Sequence, residues 1–411
     1  MSEKISEKFT GFGLSPALLK AIERQKYEDP SPIQIQTIPA VMAGHDVLAA
    51  AQTGTGKTAA YTLPILDHLS KGSKVRPNHV RALILTPTRE LAAQVYESVT
   101  NYSRFMPLHS TVVYGGVKIN PQMIRLTKGM DILVATPGRL LDLYRQNTVN
   151  FQQLEILILD EADRMLNLGF LPEIREIQAL IPSKRQTLMF TATFSDEVRA
   201  LAKDFVSHPV EISVNPEEIT VDSVTQWIYP VDKLKKSSLL LKLIRDNHWD
   251  KILIFTKTKN GADHLSRKLL KAGIATATIH GNKSQGARSR ALAEFKSDKL
   301  SILVATDLAA RGLDIDQLPL VVNFDLPHLK EDYIHRIGRT GRAGATGEAI
   351  SFVCFDDFEK LADIERLTKQ VLDRRIVEGF EPEKALPESQ LDLRPFKPKK
   401  PKKMKKPKDL L

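Results

Sequence analysis

The sequence has little of what builds disulfide-stabilised, metal-clustered or membrane-spanning proteins. Cys354 is the single cysteine among 411 residues, which excludes a disulfide framework and a cysteine metal cluster. It lies in the apolar run 350–355, where we expect a buried small side chain. No apolar run approaches the ~18–20 residues that span a bilayer. Residues 1–8 lack the apolar core of a signal peptide, so we expect a cytoplasmic protein.

Positive charge is scarce outside the C-terminus, although the net charge is +10. Residues 394–411 hold eight lysines, one arginine and one aspartate, and the rest of the chain is nearly neutral. From about residue 376, prolines alternate with lysines, a composition that cannot bury a core. We expect 376–411 to be a disordered basic tail. It either raises the affinity for nucleic acid by counterion release or merely keeps the chain soluble.

Continuous apolar runs alternate with helical patterns in both halves of the chain. Such runs are typical of parallel strands covered on both faces, and they predict an α/β fold. The predicted strands are 47–51, 81–86, 111–114, 131–135, 155–159, 186–191, 224–230, 251–256, 274–279, 301–305, 320–323 and 347–353. The clearest predicted helices are 88–103, 171–180, 260–272, 286–297 and 357–374. A polar, proline-containing segment interrupts the alternation at 213–222. We expect two lobes, 1–212 and 223–375, joined by that short linker.

A glycine-containing loop follows the first predicted strand and opens a helix. Strand, loop and Lys-Thr form the layout of a P-loop, whose backbone N–H groups meet phosphates at a helix N-terminus. The P-loop pattern usually opens with glycine, and Ala51 stands there instead. Lys57 is expected to reach the β- and γ-phosphates, and the Thr58 hydroxyl to ligate Mg²⁺. The nucleotide-binding residues predicted here are Ala51, Gln52, Thr53, Gly54, Thr55, Gly56, Lys57 and Thr58.

An acidic pair ends the apolar strand 155–159. Asp160 is suited to hold Mg²⁺, and Glu161 to orient and deprotonate an attacking water. The alternative is a solvated strand end that carries a few acids. The P-loop upstream favours the catalytic interpretation.

Asp160-Glu161-Ala162-Asp163 and its companion motifs resemble those of the DEAD-box ATP-dependent RNA helicases. The resemblance covers about residues 9–350 and is greatest to the bacterial RhlE-like branch, with ribosome assembly or RNA decay as settings. It implies two RecA-like lobes that use ATP and Mg²⁺ and bind RNA. The companion motifs, in the family's order, are Phe9 with 27–34, the P-loop, 87–91, 115–116, 136–139, 191–193, 254–256, 285–288, 306–314 and 335–342.

Gln34 is the residue expected to select adenine. Its amide offers acceptor and donors that complement the N7 and N6 positions of adenine, whereas guanine presents two acceptors there. Tyr27 could stack on the adenine ring, and the resemblance adds Phe9 to this site. The alternative for Gln34 is that it only caps local backbone.

Arg339 and Arg342 follow glycine and threonine in a loop of the second half. Arginines delivered from a facing domain neutralise charge on a γ-phosphate during transfer. The resemblance implies that both are arginine fingers and that Gly312 and Asp314 belong to the nucleotide site. The alternative is a solvated loop of surface arginines. If the resemblance holds, the ATPase site is complete only when the lobes close.

The residues expected at the RNA site are hydroxyls, glycines and single arginines. Such groups suit contacts to the phosphate backbone and predict binding that is independent of sequence. For each glycine the alternative is an ordinary turn. The set implied by the resemblance is Thr88, Arg89, Gly115, Gly116, Thr136, Gly138 and Arg139, with Thr256, Arg288, Thr306 and Asp307 from the second half.

A last group is implied to couple the ATP site to lobe movement: Asp163, Thr191, Thr193 and His335. Thr191 stands where the family commonly has serine, which keeps the hydroxyl and adds a methyl group.

Three functions fit these motifs: an RNA-dependent ATPase that melts short duplexes, an ATP-gated RNA clamp with little unwinding, and a translocating DNA helicase. Glu161 and the two arginines favour turnover over a static clamp. Gln34 together with the Asp-Glu-Ala-Asp motif favours RNA over DNA. We expect a monomer whose partners are RNA and ribosomal or RNA-decay proteins.

Overall fold

The chain forms two α/β lobes, each built on one parallel sheet. The structure is a computed structural model, and it describes residues 8–391 apart from 52–54, 193, 215–223, 311–314, 316–317 and 342–346. The predicted linker therefore lies almost entirely outside the described residues. Ser213 and Val214, at its start, belong to the first lobe, because Val214 donates its N–H to the Ala50 carbonyl at 3.0 Å.

The first lobe begins with a short 3₁₀ turn at Phe9–Phe12. Its strands are β1 Val47–Ala50, β2 Val80–Leu85, β3 Ser110–Val113, β4 Met130–Ala135, β5 Ile156–Leu159, β6 Gln186–Thr191 and β7 Val210–Ser213. Its helices are α1 Pro16–Arg24, α2 Pro32–Met42, α3 Lys57–Ser70, α4 Arg89–Tyr102, α5 Asn120–Leu126, α6 Pro137–Arg145, α7 Ala162–Asn167, α8 Leu171–Leu180 and α9 Asp196–Phe205.

The second lobe repeats the alternation. Its strands are β8 Val224–Pro230, β9 Ile252–Phe255, β10 Thr276–Ile279, β11 Ile302–Ala305, β12 Leu320–Asn323, β13 Gly347–Val353 and β14 Asp373–Arg374. Its helices are α10 Lys236–Asp246, α11 Lys259–Lys271, α12 Gln285–Lys296, α13 Asp307–Ala310, α14 Lys330–Ile337 and α15 Phe358–Thr368, with a 3₁₀ turn at Phe355–Asp357.

Both sheets are buried on their two faces, which explains the continuous apolar runs. Alternate residues of one strand enter different cores: Val47 and Ala49 join one apolar cluster, whereas Leu48 joins the other. The strand orders are β3-β4-β2-β5-β6-β1-β7 and β10-β11-β9-β12-β13-β8-β14, with parallel pairing. These sheets confirm the α/β prediction of two RecA-like lobes.

Two edge strands escaped prediction. In β7 only Ile212 is buried, so the strand lacks an apolar run. The strand β14 has two residues and lies inside the predicted helix 357–374. That helix ends at Thr368, because Lys369 adopts the left-handed conformation (φ 56°) that stops a helix.

The predicted start of the disordered tail, residue 376, is too early. Residues 376–391, here called the strap, pack against the second lobe. The Arg374 guanidinium donates to the carbonyls of Leu386 and Pro387 at 3.3 and 2.7 Å and to the Ser389 hydroxyl at 2.8 Å. Leu386 is buried, and Val377 and Phe380 pack against the core. Apolar side chains near the prolines anchor this segment to the lobe. The prediction of disorder rested on the prolines and charged residues and left these apolar side chains out. Residues 392–411 lie outside the described residues.

Cys354 also differs from the prediction of a buried apolar side chain. It is half-buried, and its thiol donates to the Asp357 carboxylate at 2.8 Å. The pKa of the thiol is raised mainly by burial and, to a smaller extent, by this hydrogen bond. Among the helices of the described residues, none combines the length and apolar character needed to cross a bilayer.

The predicted motifs of the first lobe form two groups at the carboxyl edge of its sheet. This edge is where α/β proteins bind ligands. The P-loop follows β1, the acidic pair follows β5, and Thr191 is the last residue of β6, which lies between those two strands. Thr88, Gly115 and Thr136 follow β2, β3 and β4, which form the other half of the sheet. The half of the sheet predicted to bind nucleotide, called the nucleotide half, thus lies beside the half predicted to bind RNA.

Candidate active site and RNA groove

The described end of the P-loop is fixed by a tight contact with Gln34. Gly56 has a φ of 91°, and a Cβ atom added there would lie 2.4 Å from the Gln34 Nε2. Any larger residue would therefore displace the amide. Gln52, Thr53 and Gly54 lie outside the described residues. Ala51 is buried, and its N–H donates to the Thr191 carbonyl at 3.1 Å, so the loop begins against β6.

Gln34 caps local backbone, as its alternative interpretation proposed. Its Oε1 accepts from the Ser31 N–H at 2.9 Å, and its Nε2 donates to the Gly56 carbonyl at 3.1 Å. An amide oxygen has a second lone pair and the NH₂ group a second hydrogen. One acceptor and one donor position are left for a base, and the amide is held beside the P-loop.

Aromatic rings lie beside this glutamine's helix. The rings of Phe9 and Tyr27 stack at 6.3 Å between centroids, with planes 22° apart. Phe9 is buried and Tyr27 is 43% exposed, so Tyr27 is the ring that offers a free face.

Lys57 is buried at the start of α3, and its ammonium donates to the Ala51 carbonyl at 2.7 Å. The lysine therefore bridges the two ends of the phosphate loop. When a nucleotide binds, this ammonium can donate its hydrogen bonds to phosphate oxygens in place of the Ala51 carbonyl.

Asp160 is buried at the end of β5 and accepts a hydrogen bond from the Tyr61 hydroxyl at 2.9 Å. Burial raises the pKa of its carboxyl group to about 6, against the opposing effect of Lys57. A nearby cation would favour the ionised form. Asp160 and Thr58 supply carboxylate and hydroxyl oxygens, the donors that Mg²⁺ takes in nucleotide enzymes. No cluster of three or more His, Cys, Asp or Glu is suited to a metal among the described residues. The donor set thus fits an ion completed by phosphate oxygens.

Glu161 is held in an unusual backbone conformation and in a buried ion pair. Its φ of 53° lies in the left-handed region, and its carboxylate is 2.9 Å from the Arg164 Nη1. Burial alone would raise the pKa of this carboxyl group, but Arg164 and Lys57 more than offset it and hold the pKa below its ordinary value. His335 of the second lobe acts electrostatically in the same direction. Glu161 is therefore an ionised carboxylate facing the other lobe.

Asp163 joins the acidic motif to the end of β6. Its carboxylate accepts the Ala192 N–H at 3.2 Å and the Arg164 N–H at 2.9 Å. Burial raises its pKa above the ordinary range. Thr191 is fully buried, and Thr193 lies outside the described residues. Asp163 is thus hydrogen-bonded to the residue that follows Thr191.

A groove of about 630 Å³ runs beside the nucleotide half and is lined from both lobes. Its lining includes all the first-lobe residues that are predicted to bind RNA, together with Arg288 of the second lobe. Leu168, Phe170 and Pro87 add an apolar part that the sequence did not predict. The lining also includes Glu90, Asp142, Gly281 and Ala309.

Arg89 and Gly116 pack against each other inside the groove. The guanidinium donates to the Gly115 carbonyl at 3.3 Å. Gly116 has a φ of 77°, and a Cβ atom there would lie 1.9 Å from the Arg89 Nη1. Gly116 is thus more than a turn residue, because its missing side chain makes room for the arginine.

We expect Gly116→Ala to weaken binding of single-stranded RNA by about 10–100-fold, the cost of losing one charge-assisted contact. The added methyl group must push Arg89 out of its position. Gly273→Ala is the matched control: its φ is 82°, but a Cβ atom there meets nothing within 4 Å. Fluorescence anisotropy with a labelled oligonucleotide measures both variants, and equal losses of affinity would show that backbone strain alone is responsible.

Arg139 places hydrogen-bond donors in the groove wall. Its Nη2 donates to the Val117 carbonyl at 3.1 Å, and its Nε lies 3.7 Å from the Asp142 carboxylate. Its Nε and Nη1 are buried without a hydrogen-bond partner among the described residues. Thr88 caps α4 by accepting the Leu91 N–H at 3.3 Å. Arginine donors and a helix start are groups that bind phosphate.

Arg288 is the second lobe's contribution and crosses to the first lobe. Its Nη1 lies 2.9 Å from the Glu90 carboxylate, and both side chains are nearly buried. The lobes are therefore in contact at the floor of the groove.

Asp307 is not placed for the backbone contact predicted for it. It receives two hydrogen bonds from the Arg336 guanidinium, at 2.5 and 2.7 Å. A carboxylate already paired with a buried arginine is a poor partner for phosphate, and in the structure it orients the Arg336 guanidinium. Thr256 and Thr306 are buried, and neither lines the groove.

Arg339 is buried after α14, and its backbone is fixed on both sides. Its N–H donates to the Arg336 carbonyl at 3.2 Å, and its carbonyl accepts the Leu318 N–H at 3.0 Å. Arg342, Gly312 and Asp314 lie outside the described residues.

Four functional neighbours were missed by sequence reasoning: Tyr61, Arg164, Glu90 and Arg336. Glu90 and Arg336 lie inside the motifs 87–91 and 335–342 but received no role there, and Tyr61 and Arg164 lie just beyond the P-loop and the acidic motif. Their roles depend on partners brought close by folding, as with Tyr61 and Asp160, which are 99 positions apart.

Two family models match the chain: DEAD/DEAH box helicase over residues 31–201, and Helicase conserved C-terminal domain over residues 235–344. ATP-dependent RNA helicase CshA of Limosilactobacillus reuteri is 43% identical over 362 residues, which cover 88% of this chain and 72% of the relative. DEAD-box ATP-dependent RNA helicase 40 of Oryza sativa subsp. japonica is 44% identical over 86% of this chain, which spans only 45% of that protein.

The structure is similar to that of S. cerevisiae Dbp5 bound to RNA and ADP BeF3. The TM-score is 0.81 at 32% identity, and the match covers 90% of this chain and 96% of that one. The sequence motifs, the two-lobed fold and these relatives all indicate the same family. The chain belongs to the DEAD-box family of ATP-dependent RNA helicases, enzymes that hydrolyse ATP.

Proposed function

We propose that this protein hydrolyses ATP when RNA holds its lobes together, and that closure melts short RNA duplexes locally and without processive movement. The observation that carries the proposal is the ion pair between Glu90 and Arg288, at 2.9 Å across the groove. It brings the lobes together on the face that also holds the acidic pair. The similarity to the yeast structure with RNA and ADP BeF3 extends over both lobes and supports the same arrangement.

In this mechanism each lobe supplies half of the hydrolytic site. Lys57 and the P-loop backbone hold the phosphates, and Glu161 takes the proton of the attacking water. Arg339, with Arg342, neutralises charge that develops on the γ-phosphate. Thr58 and Asp160 would hold Mg²⁺, which would supply positive charge that offsets the charge of the phosphates. Gln34 and Tyr27 select and stack the adenine.

RNA is proposed to lie in the groove as a single strand held by its backbone. Arg89, Arg139 and Arg288 supply the charged donors, and glycines let the strand approach closely. Contacts of this kind carry no sequence information. Recognition of RNA over DNA would rest on the 2′-hydroxyl group.

We also propose a branch of the family and a biological setting for this protein. Within the family we place the chain nearest the bacterial RhlE-like branch, as a cytoplasmic monomer in ribosome assembly or RNA decay. The basic composition of residues 394–411 supports this placement.

The test is ATP turnover with single-stranded RNA and single-stranded DNA side by side, together with unwinding of a short RNA duplex. Stimulation by RNA alone, with duplex melting, is the expected result. RNA-dependent turnover without melting would favour the clamp, and stimulation by DNA would contradict the RNA proposal.

Removing residues 394–411 is expected to weaken RNA binding and flatten its salt dependence, because counterion release by the basic side chains is lost. Each phosphate contact removed should change the slope of log K against log salt by about 0.7. The cut leaves the strap intact. An unchanged slope would assign the tail to solubility only.

A further inference from the structure

Tyr102, which no motif includes, lies at the end of a helix that starts in the RNA groove. Its hydroxyl lies 3.0 Å from that of Tyr27, and their ring centroids are 6.3 Å apart. Tyr102 is 4% exposed and belongs to the apolar core, whereas Tyr27 is 43% exposed. A fixed, buried hydroxyl thus holds the tip of a ring that is otherwise open to solvent.

The other end of the same helix forms the groove. The α4 helix runs from Arg89 to Tyr102, a length of about 20 Å at 1.5 Å per residue. Its first residues are Arg89, which packs on Gly116, and Glu90, which pairs with Arg288 of the second lobe.

The helix is packed as one rigid body along its length. Ala92, Val95, Val99 and Tyr102 recur at helical spacing and are all buried against the lobe core. A displacement at Glu90 therefore moves Tyr102 with it, because a close-packed interior transmits strain instead of absorbing it.

We propose that Tyr102 is a positioning residue for the nucleotide base, and that α4 ties the placement of Tyr27 to the RNA groove and to lobe contact. This rests on the proposed function, in which Tyr27 stacks on adenine. Tyr102 touches neither ligand. It fixes the ring plane of Tyr27, so nucleotide affinity should depend on whether RNA occupies the groove.

The test compares Tyr102→Phe with the parent protein. The variant keeps the ring and its packing and loses only the hydroxyl. We expect the KM for ATP at saturating RNA to rise about 3–10-fold, the range for one lost hydrogen bond, with a much smaller change in kcat. The factor by which RNA tightens binding of mant-ADP should shrink.

Two further variants separate positioning from a structural effect. Tyr27→Phe combined with Tyr102→Phe should be no worse than either single change, because both remove the same bond. Tyr96→Phe removes a hydroxyl from the same helix that does not contact Tyr27, and should leave KM unchanged.

An unchanged KM in Tyr102→Phe, or additive losses in the double variant, would overturn the inference. Either result leaves the proposed function standing if the parent still shows RNA-stimulated turnover. Absence of that turnover in the parent would instead contradict the proposed function itself.

Discussion

Replacing Glu161 by glutamine is expected to lower the kcat for ATP hydrolysis by about 10²–10⁴-fold, the usual contribution of a general base. The carboxylate is ionised in the structure, because Arg164 and Lys57 hold its pKa below the ordinary value. An amide can still accept the hydrogen bond from Arg164, so the site should keep its shape. It cannot take a proton from water.

Binding of ATP and RNA to Glu161→Gln should stay within a few-fold of the parent, as measured with mant-ATP and a labelled oligonucleotide. Glu197→Gln, on the exposed start of α9, is the control for a change of charge in the same lobe. Turnover by Glu161→Gln at near the parental rate would disprove the role given to Glu161.

Arg339→Lys is expected to lower kcat by about 10³-fold or more, the range found for arginine fingers. Lysine keeps the charge but not the planar fork that binds phosphate oxygens. The backbone of Arg339 is fixed by Arg336 and Leu318 through main-chain hydrogen bonds, so the substitution should leave the loop in place. Steady-state ATPase assays with saturating RNA measure the loss.

Arg290→Lys provides the comparison, because Arg290 is exposed on α12 of the same lobe. RNA affinity without nucleotide should be unchanged in both variants. If Arg339→Lys kept its kcat and lost RNA affinity instead, Arg339 would be an RNA contact and not a catalytic group.

Local sequence patterns predicted most of the fold, because the buried strands carry continuous apolar runs. β7 was missed since it is an edge strand with one buried residue. The strap was missed since its two prolines, four glutamates and one lysine are typical of a disordered segment, although Leu386 and Phe380 pack against the lobe. Their packing depends on neighbours far along the chain, which composition does not reveal.

The candidate site was predictable to the extent that its residues form motifs. Lys57 and Asp160 stand in contiguous signatures, and the structure brings them together at the same edge of the sheet, beyond β1 and β5, which lie on either side of β6. The pairing of Asp307 with Arg336 was not predicted, because the two residues lie on different elements. The contact between Glu90 and Arg288 depends on how two lobes meet, and no local pattern encodes that.

We expect RNA and ATP together to close the lobes and complete the site. Fluorescence energy transfer between dyes at Glu97→Cys on α4 and Lys299→Cys in the second lobe, in a Cys354→Ser background, measures this distance directly. We predict one high-transfer state that is populated only when single-stranded RNA and a non-hydrolysable ATP analogue are both present. If the transfer efficiency were the same without ligand, with either ligand alone and with both, RNA and ATP would not close the lobes.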